Sequence, residues 1–388
     1  MKRHSFRRSL AICVLLASAG LSVGAGVLLG ACGPFSDVSD LAFCPFVLEI
    51  FFLGITTGTT PATYDPGSSV TRLQMAAFLS RTVDRSLQRG SRRAALNQFW
   101  TPQNVVLGLT TVGVNPNNVR SDGKDLWVPN RGSASVSRVR GSDGRLLDTW
   151  TGAASANDAV VALGRVFVNS YSTPGNLYRI DPSQPAGAVT TVATNLGGNS
   201  DGITFDGVRV WTANQAASVS IVTPGATLPW TATTVTTGFA APTGVLFDGV
   251  NVWVTDISAG TLLKLDASGA ILQTVTTGAG PAFPVFDGTN IWVPLNGGAA
   301  VAVVRASNGA ILATLTGNGL SLPNSAAFDG ERILVTNYVG NAVSLWKAAD
   351  LTPLGGFPTG GGTVPVGACS DGVNFWLTFF SSNQLARF

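Results

Sequence analysis

One ten-residue phrase recurs along this chain with small changes. It reads FDGVRVWTAN from residue 205, FDGVNVWVTD from 247, FDGTNIWVPL from 286 and FDGERILVTN from 328. Its Asp-Gly anchors are Asp122-Gly123, Asp206-Gly207, Asp248-Gly249, Asp287-Gly288, Asp329-Gly330 and Asp371-Gly372. A further copy, ALGRVFVN, has no aspartate and is placed by Gly164. The glycine-to-glycine steps are 41, 43, 42, 39, 42 and 42 residues, which makes seven copies. A fixed period of this size means one supersecondary unit repeated and stacked.

Each copy has the same grammar. An apolar stretch ends at Asp-Gly, a strong hairpin signal because both central positions of a type I′ turn need positive φ. Three further short strands follow, as in VNVWVTD, TLLKLD and ILQTVTTG. Four antiparallel strands in forty-odd residues describe a propeller blade. The last copy, VPVGACSDGVNFWLTFFSSNQLARF, stops after three strands, while an orphan strand, VLGLTTVG, stands before the first. The orphan, within 105–113, therefore completes blade seven and closes the ring, so that no sheet edge stays open around it. The fold class is mainly β: a seven-bladed β-propeller over 101–388, preceded by a small α-helical domain.

Charge narrows the functions available. The net charge of +3 is N-terminal: residues 1–100 hold ten Lys/Arg against five Asp/Glu, and 101–388 hold fourteen against sixteen. Nothing forms a phosphate-binding stripe, which excludes nucleic acid. Residues 1–31 read as an export signal, basic at Lys2, Arg3, Arg7 and Arg8 and then apolar. An uncleaved anchor of that length is the alternative. The chain is thus expected outside the cytoplasm, in a bacterial envelope or beyond it. Cys32 and Cys44 bracket a twelve-residue step and can form a disulfide in an oxidising compartment. Leu29-Gly30-Ala31-Cys32 also resembles a lipobox, in which Cys32 would be lipidated instead. Cys369 reads as a small buried apolar residue.

Residues 32–100 form the helical domain and a basic linker. Phe43, Phe46, Val47, Ile50 and Phe51 fall on one helix face, and Met75, Phe78, Leu79 and Val83 on a second. Thr71 and Gln74 make a capping box at the start of the second helix. Arg85, Arg89, Arg92 and Arg93 give a basic face, solvated or lying on an anionic surface. The ordered set FSDV, GITTG, Tyr64, Pro66 and VTRLQMAAFLSR resembles the S-layer homology domain, a helical module that holds exported bacterial proteins on wall polymers. The resemblance places wall-polymer binding on Thr71 and Arg72, with Arg72 as the glycan contact. This chain departs from the family in carrying Gln74 at the acidic end of the motif and one copy where three are common. The repeats, with LVTN at 334–337, resemble YVTN-type propellers, a fold that serves many roles.

Chemistry is limited by what the chain contains. Its one histidine, His4, lies in the export segment, which excludes Ser-His-Asp, Cys-His and histidine-zinc chemistry. Lyases related to virginiamycin B lyase depend on histidine, and this chain departs from them there. Its glutamates are Glu49 and Glu331 alone. The repeated Trp127, Trp211, Trp253, Trp292 and Trp376 share one strand position and are expected to pack between blades. Counting five residues back from each turn aspartate or its equivalent gives Asn117, Asp158, Asp201, Thr243, Ala282, Asn324 and Val366. Loops between blades gather at one channel mouth, so the polar members of this set could hold a small ligand or a cation by oxygen atoms. Asn130, Asn169, Asn214, Asp256 and Asn337 are expected on the same face as turn formers. Asp158 with Asp201 is the one carboxylate pair for acid–base work.

Two functions follow. The first is a non-enzymatic envelope protein whose helical domain attaches to wall polymer or an envelope protein and whose propeller is an interaction platform. The second is a histidine-free, metal-dependent propeller lyase or lactonase at the channel mouth. Neither reading includes an organic cofactor.

Overall fold

The computed structural model describes residues 32, 34–40, 43–52, 55–82 and 108–388. The export segment, the basic stretch with Arg85, Arg89, Arg92 and Arg93, Val83 and Leu107 lie outside the described residues. The chain divides into two units, Met1–Phe99 and Trp100–Phe388. Among the described residues no helix is long and apolar enough to cross a membrane.

In the first unit, helix α1 (Cys44–Phe52) packs on the segment before it. Cys32 and Cys44 are joined by a disulfide, with their Cα atoms 5.4 Å apart. Phe35, Val38 and Val47 are buried beside it, and Leu48, Phe51 and Tyr64 pack against them. The buried stripe therefore runs through Cys44, Val47, Leu48 and Phe51. The expected face is rotated, because the bridge turns Cys44 inward and leaves Phe43 and Phe46 62% and 63% exposed. Asp37 accepts the backbone N–H groups of Tyr64 at 2.8 Å and Asp65 at 2.7 Å. Those bonds, the Tyr64 one foremost, hold its carboxyl below the usual range. Residues 72–82 are helical. Thr71 and Gln74 cap that helix reciprocally: Thr71 N–H donates to Gln74 Oε1 at 2.8 Å, and Gln74 N–H to Thr71 Oγ1 at 3.2 Å. Arg72 is exposed in its first turn. Met75 and Leu79 are exposed too, so the expected apolar face is not buried by the described residues.

The second unit is a ring of seven four-stranded antiparallel sheets. Blades one to six run Arg120–Thr151, Ala156–Leu196, Ser200–Val235, Pro242–Thr276, Val285–Thr316 and Pro323–Pro358 in chain order. Blade seven has three strands from Pro365–Arg387 and takes its fourth from Gly108–Thr111. Gly108, Leu109, Thr110 and Thr111 pair antiparallel with Arg387, Ala386, Leu385 and Gln384. The two ends of the unit thus close its ring. Second strands are buried throughout, as at Val252–Asp256. Fourth strands form the rim and are largely half-buried or exposed, as at Ile311–Thr316, though Trp150 and Val192 reach into the core.

The apolar core lies between blades. Each of seven buried clusters joins two neighbours; Trp253 of blade four, for example, packs with Ile291 and Val293 of blade five. Trp376 of blade seven packs with Leu126 and Val128 of blade one, which completes the circle. Trp127, Trp211, Trp253, Trp292 and Trp376 are all fully buried.

The recurring phrase has a local cause. In FDGVNVW, Asp248 Oδ1 accepts the N–H groups of Val250 at 2.8 Å and Asn251 at 2.6 Å. Its Oδ2 accepts Trp253 Nε1–H at 2.7 Å. The aspartate therefore shapes the turn and satisfies the one polar atom of the buried indole. The same bond joins Asp122, Asp206, Asp287 and Asp371 to the tryptophan five residues on. These turns differ from the expected type I′. Asp248 N–H donates to Asn251 O, so Gly249 and Val250 are the central pair, and only Gly249 has positive φ. One positive φ at the first central position is the type II′ pattern.

Blade two is the exception, and it shifts the register read from sequence. Ala162 pairs with Arg165, leaving Leu163 and Gly164 as central residues, both with positive φ, at 53° and 67°. That is the type I′ pattern. Leu163, not Gly164, stands where the other blades have the turn glycine, and Ala162 stands where they have aspartate.

Candidate functional site

The seven loops that enter the blades meet the seven turns after the second strands at one channel mouth. The equivalence is carried by one backbone bond per blade. N–H groups of Arg131, Tyr171, Gln215, Ile257, Asn296, Tyr338 and Phe380 donate to carbonyls of Asn115, Ser155, Asn199, Ala241, Gly280, Leu322 and Val364. Those seven donors form the outer ring of the mouth. Just inside, the ladder pairs Pro116 with Asn130, Ala156 with Ser170, Ser200 with Asn214 and Pro242 with Asp256. The next residue in each first strand is Asn117, Asn157, Asp201 and Thr243, then Ala282, Asn324 and Val366 in the remaining blades.

Asp158 is therefore misplaced in the predicted ring, and Asn157 takes its position. Counting back from Gly164 failed because the glycine moves from the first to the second central place when the turn changes type. Asp158 is fully buried and points to Arg120 Nη2, 2.7 Å from its Oδ2. Its Oδ1 accepts the N–H of Ala159 at 2.8 Å. Burial pushes its carboxyl above the usual range in spite of Arg120.

Three blades share a closed polar circuit. Arg131 Nη2 and Asn117 Nδ2 both donate to Asn157 Oδ1. Asn157 Nδ2 donates to Asp201 Oδ1 at 2.8 Å and to Asp201 O at 2.7 Å. Gln215 Nε2 donates to Asp201 Oδ2 at 2.8 Å, and Tyr171 O–H donates to Gln215 Oε1 at 2.7 Å. The guanidinium of Arg131 lies over the Tyr171 ring, 4.1 Å from its centroid, and closes the loop. Burial raises the Asp201 carboxyl to about 6. It also pulls the Arg131 guanidinium below its ordinary value.

The structure thus joins Asn117 and Asp201 through Asn157 and leaves the other predicted residues apart. Thr243 Oγ1 donates to Ala241 O at 3.3 Å within its own blade, and Asn324 Nδ2 donates to Val366 O of the next blade at 3.1 Å, both away from the circuit. Asp158 and Asp201 face different partners and have all four oxygens engaged, and the Asp158 charge adds to the upward push of burial on the Asp201 carboxyl. Among the described residues no group of three His, Cys, Asp or Glu side chains is placed to hold a metal. Asn130, Asn214, Asp256 and Asn337 are buried loop and turn fasteners; Asp256, for example, accepts the N–H groups of Ala240 at 2.7 Å and Ala241 at 2.9 Å. Asn169 sits one place earlier, in the strand. Cys369 is buried in the core between blades seven and one, and burial lifts its thiol to about 12.

Below the mouth, side chains tie neighbouring first strands together. Thr336 Oγ1 accepts the Ser325 N–H at 3.0 Å and donates to Val366 O of the next blade at 2.9 Å. Thr255 and Thr378 repeat the relay to Ala282 O and Asn117 O. Asn169 does so with an amide, from the Asp158 N–H to Asp201 O. Where the relay position is proline, at 129 and 294, the N–H bonds the next blade directly: Asn118 to Asn157 O at 3.2 Å, and Phe283 to Asn324 O at 2.9 Å. The threonine of LVTN is this relay. Its asparagine, Asn337, accepts the Ser321 N–H at 3.1 Å and fastens the incoming loop.

No protein-family model matches the chain, and no curated protein matches it in sequence. Solved structures are similar in fold. A catalytically inactive variant of virginiamycin B lyase from Staphylococcus aureus, with a histidine replaced by alanine and solved with quinupristin, matches at TM-score 0.60 and 15% identity. That match covers 72% of this chain and 98% of the lyase. The WD40 propeller domain of Doa1 matches at TM-score 0.60 and 14% identity over 73% and 95% of the two chains. Hydrazine synthase of Kuenenia stuttgartiensis matches at TM-score 0.60 and 16% identity over 72% and 97%. Identities this low show the propeller and nothing finer.

Proposed function

We propose that this is a non-enzymatic protein of the bacterial cell envelope. The helical unit acts as an S-layer-homology-like anchor for wall polymer or an envelope protein, through Arg72 on the first turn that Thr71 caps. The YVTN-like propeller is a rigid platform that presents its polar mouth to a partner or small ligand. One observation carries the non-enzymatic part: Asp158 and Asp201, the carboxylates that the sequence offers for acid–base work, have every oxygen engaged by an arginine, an amide or the backbone. Chemistry there would also have to proceed without histidine, since His4 is the chain's one copy.

The likeness to virginiamycin B lyase favours a second reading, a histidine-free lyase or lactonase at the same mouth. The two readings separate by experiment. Residues 32–388 are incubated with purified bacterial wall and pelleted. Retention that Arg72→Ala abolishes, while Thr71→Ser keeps the cap and the retention, is the expected result. Equal retention of wild type and Arg72→Ala, or none for the folded wild type, removes the anchor. Turnover of streptogramin or lactone substrates that Asp201→Asn abolishes would establish the enzyme instead.

A further inference from the structure

We infer that Arg131 binds the carboxylate of a small organic ligand at the propeller mouth, with the ligand's apolar body lying against Phe380 and Tyr338. The inference rests on the mouth being the ligand-facing end of the platform and names the chemistry it would take.

Arg131 is the one charged side chain among the seven outer-ring positions, which otherwise carry Tyr171, Gln215, Ile257, Asn296, Tyr338 and Phe380. It is half-buried and held rigidly, with Nη2 on Asn157 and its plane on Tyr171. Yet it has no counter-ion: among the described residues no carboxylate lies within ion-pair reach of it. Asp201, the acid whose charge acts on it, is turned to the neutral amides of Asn157 and Gln215. Its Nε–H is buried with no acceptor. A desolvated guanidinium, locked in place and lacking an anion, is more stable once an anion arrives. Its planar fork fits a carboxylate in two parallel hydrogen bonds. Asp201 close by selects against a dianion, which favours one negative charge. The next two ring positions beyond Arg131 on the blade-seven side are Phe380 and Tyr338, the latter 41% exposed, so the rest of such a ligand meets aromatic surface.

The test uses residues 32–388 at neutral pH and titration calorimetry with N-acetyl-phenylalanine, its neutral amide and inorganic phosphate. The acid is expected to bind with a dissociation constant on the order of 1 mM, as suits a ligand of its size. The amide should bind at least about tenfold more weakly, the loss of a charge-assisted pair. Arg131→Gln, which keeps a donor for Asn157, should lose the preference for the acid. Asp201→Asn should tighten the acid severalfold and leave the amide unchanged, because Gln215 can turn its amide to accept from the new side chain. That gain cannot come from misfolding. Equal binding of acid and amide, phosphate binding as tight as the acid, or no tightening in Asp201→Asn each overturns the proposal. Wall retention through Arg72 is read on a different unit, so a failure here leaves the anchor reading standing.

Discussion

Replacing Thr336 by valine removes one relay hydroxyl and little else. The side chain is fully buried, and its oxygen stands between the Ser325 N–H at 3.0 Å and Val366 O at 2.9 Å. With valine, the buried Ser325 N–H loses its acceptor, at roughly 1–3 kcal/mol, while Val366 O keeps the Asn324 Nδ2–H that also donates to it at 3.1 Å. The expected loss is therefore about 1–3 kcal/mol, a sizeable share of the stability of a typical domain. One competing outcome has a structural precedent. Behind Pro294, the Phe283 N–H reaches Asn324 O directly at 2.9 Å. If blades six and seven could close by the width of the missing hydroxyl, Ser325 would bond Val366 O directly and the loss would fall below about 1 kcal/mol. The packed core between these blades, Leu334 and Leu345 against Phe375 and Leu377, opposes that closure. Urea unfolding of residues 32–388 decides, read as a midpoint shift at constant slope. Thr336→Ser is the control; it keeps the relay and gives up one methyl, about 1 kcal/mol. Should Thr336→Val cost no more than Thr336→Ser, the relay does not hold these blades together.

Four further outcomes are expected. Asp201→Asn changes the pH dependence of stability: the native carboxyl sits at about 6, above its ordinary value, so its contribution is full at acid pH and is lost as pH rises through about 6. Wild type should therefore lose on the order of 3 kcal/mol relative to Asp201→Asn between pH 4 and 7, and parallel urea-midpoint profiles would refute this. Asp248→Ala should destabilise by about 1–3 kcal/mol, because it leaves the buried Trp253 Nε1–H and the turn N–H groups without their acceptor; an unchanged urea midpoint would count against the aspartate–tryptophan bond. Leu163→Asn should raise the midpoint, by about 1 kcal/mol of stability, because the leucine is held at φ 53° and is 60% exposed. Cys369 should resist alkylation by iodoacetamide in the native state and react once urea unfolds the chain, and rapid native labelling would contradict its burial.

Why the ring could be read from letters while its mouth could not comes down to which residues the repeat constrains. Asp248 and Trp253 are bonded to each other and buried in one blade interface, so five blades keep both letters and the period stands out. The clasp was readable for a similar reason: a three-strand last copy and a stray strand before the first leave one closed arrangement. At the mouth, what is shared is a backbone N–H, which any residue supplies. Arg131, Tyr171, Gln215, Ile257, Asn296, Tyr338 and Phe380 therefore have no letter in common. The only signal available was their place, one past the residue that ends each second strand, and in blade two even that place is obscured. There Leu163 and Gly164 exchange a type II′ turn for a type I′ turn, and an alignment hung on the glycine slips by one. The slip exchanged Asn157, the hub of the circuit, for Asp158, which is committed to Arg120. The helical unit shows the same division. The capping pair Thr71 and Gln74 was readable because it is a contact between neighbours in sequence. The burial of α1 was not, since the bridge to Cys32 decides which side turns inward. Positions without a shared letter are free to differ between blades, and that freedom is what lets one sector of a repetitive ring gather an arginine, a tyrosine and a glutamine around a buried acid.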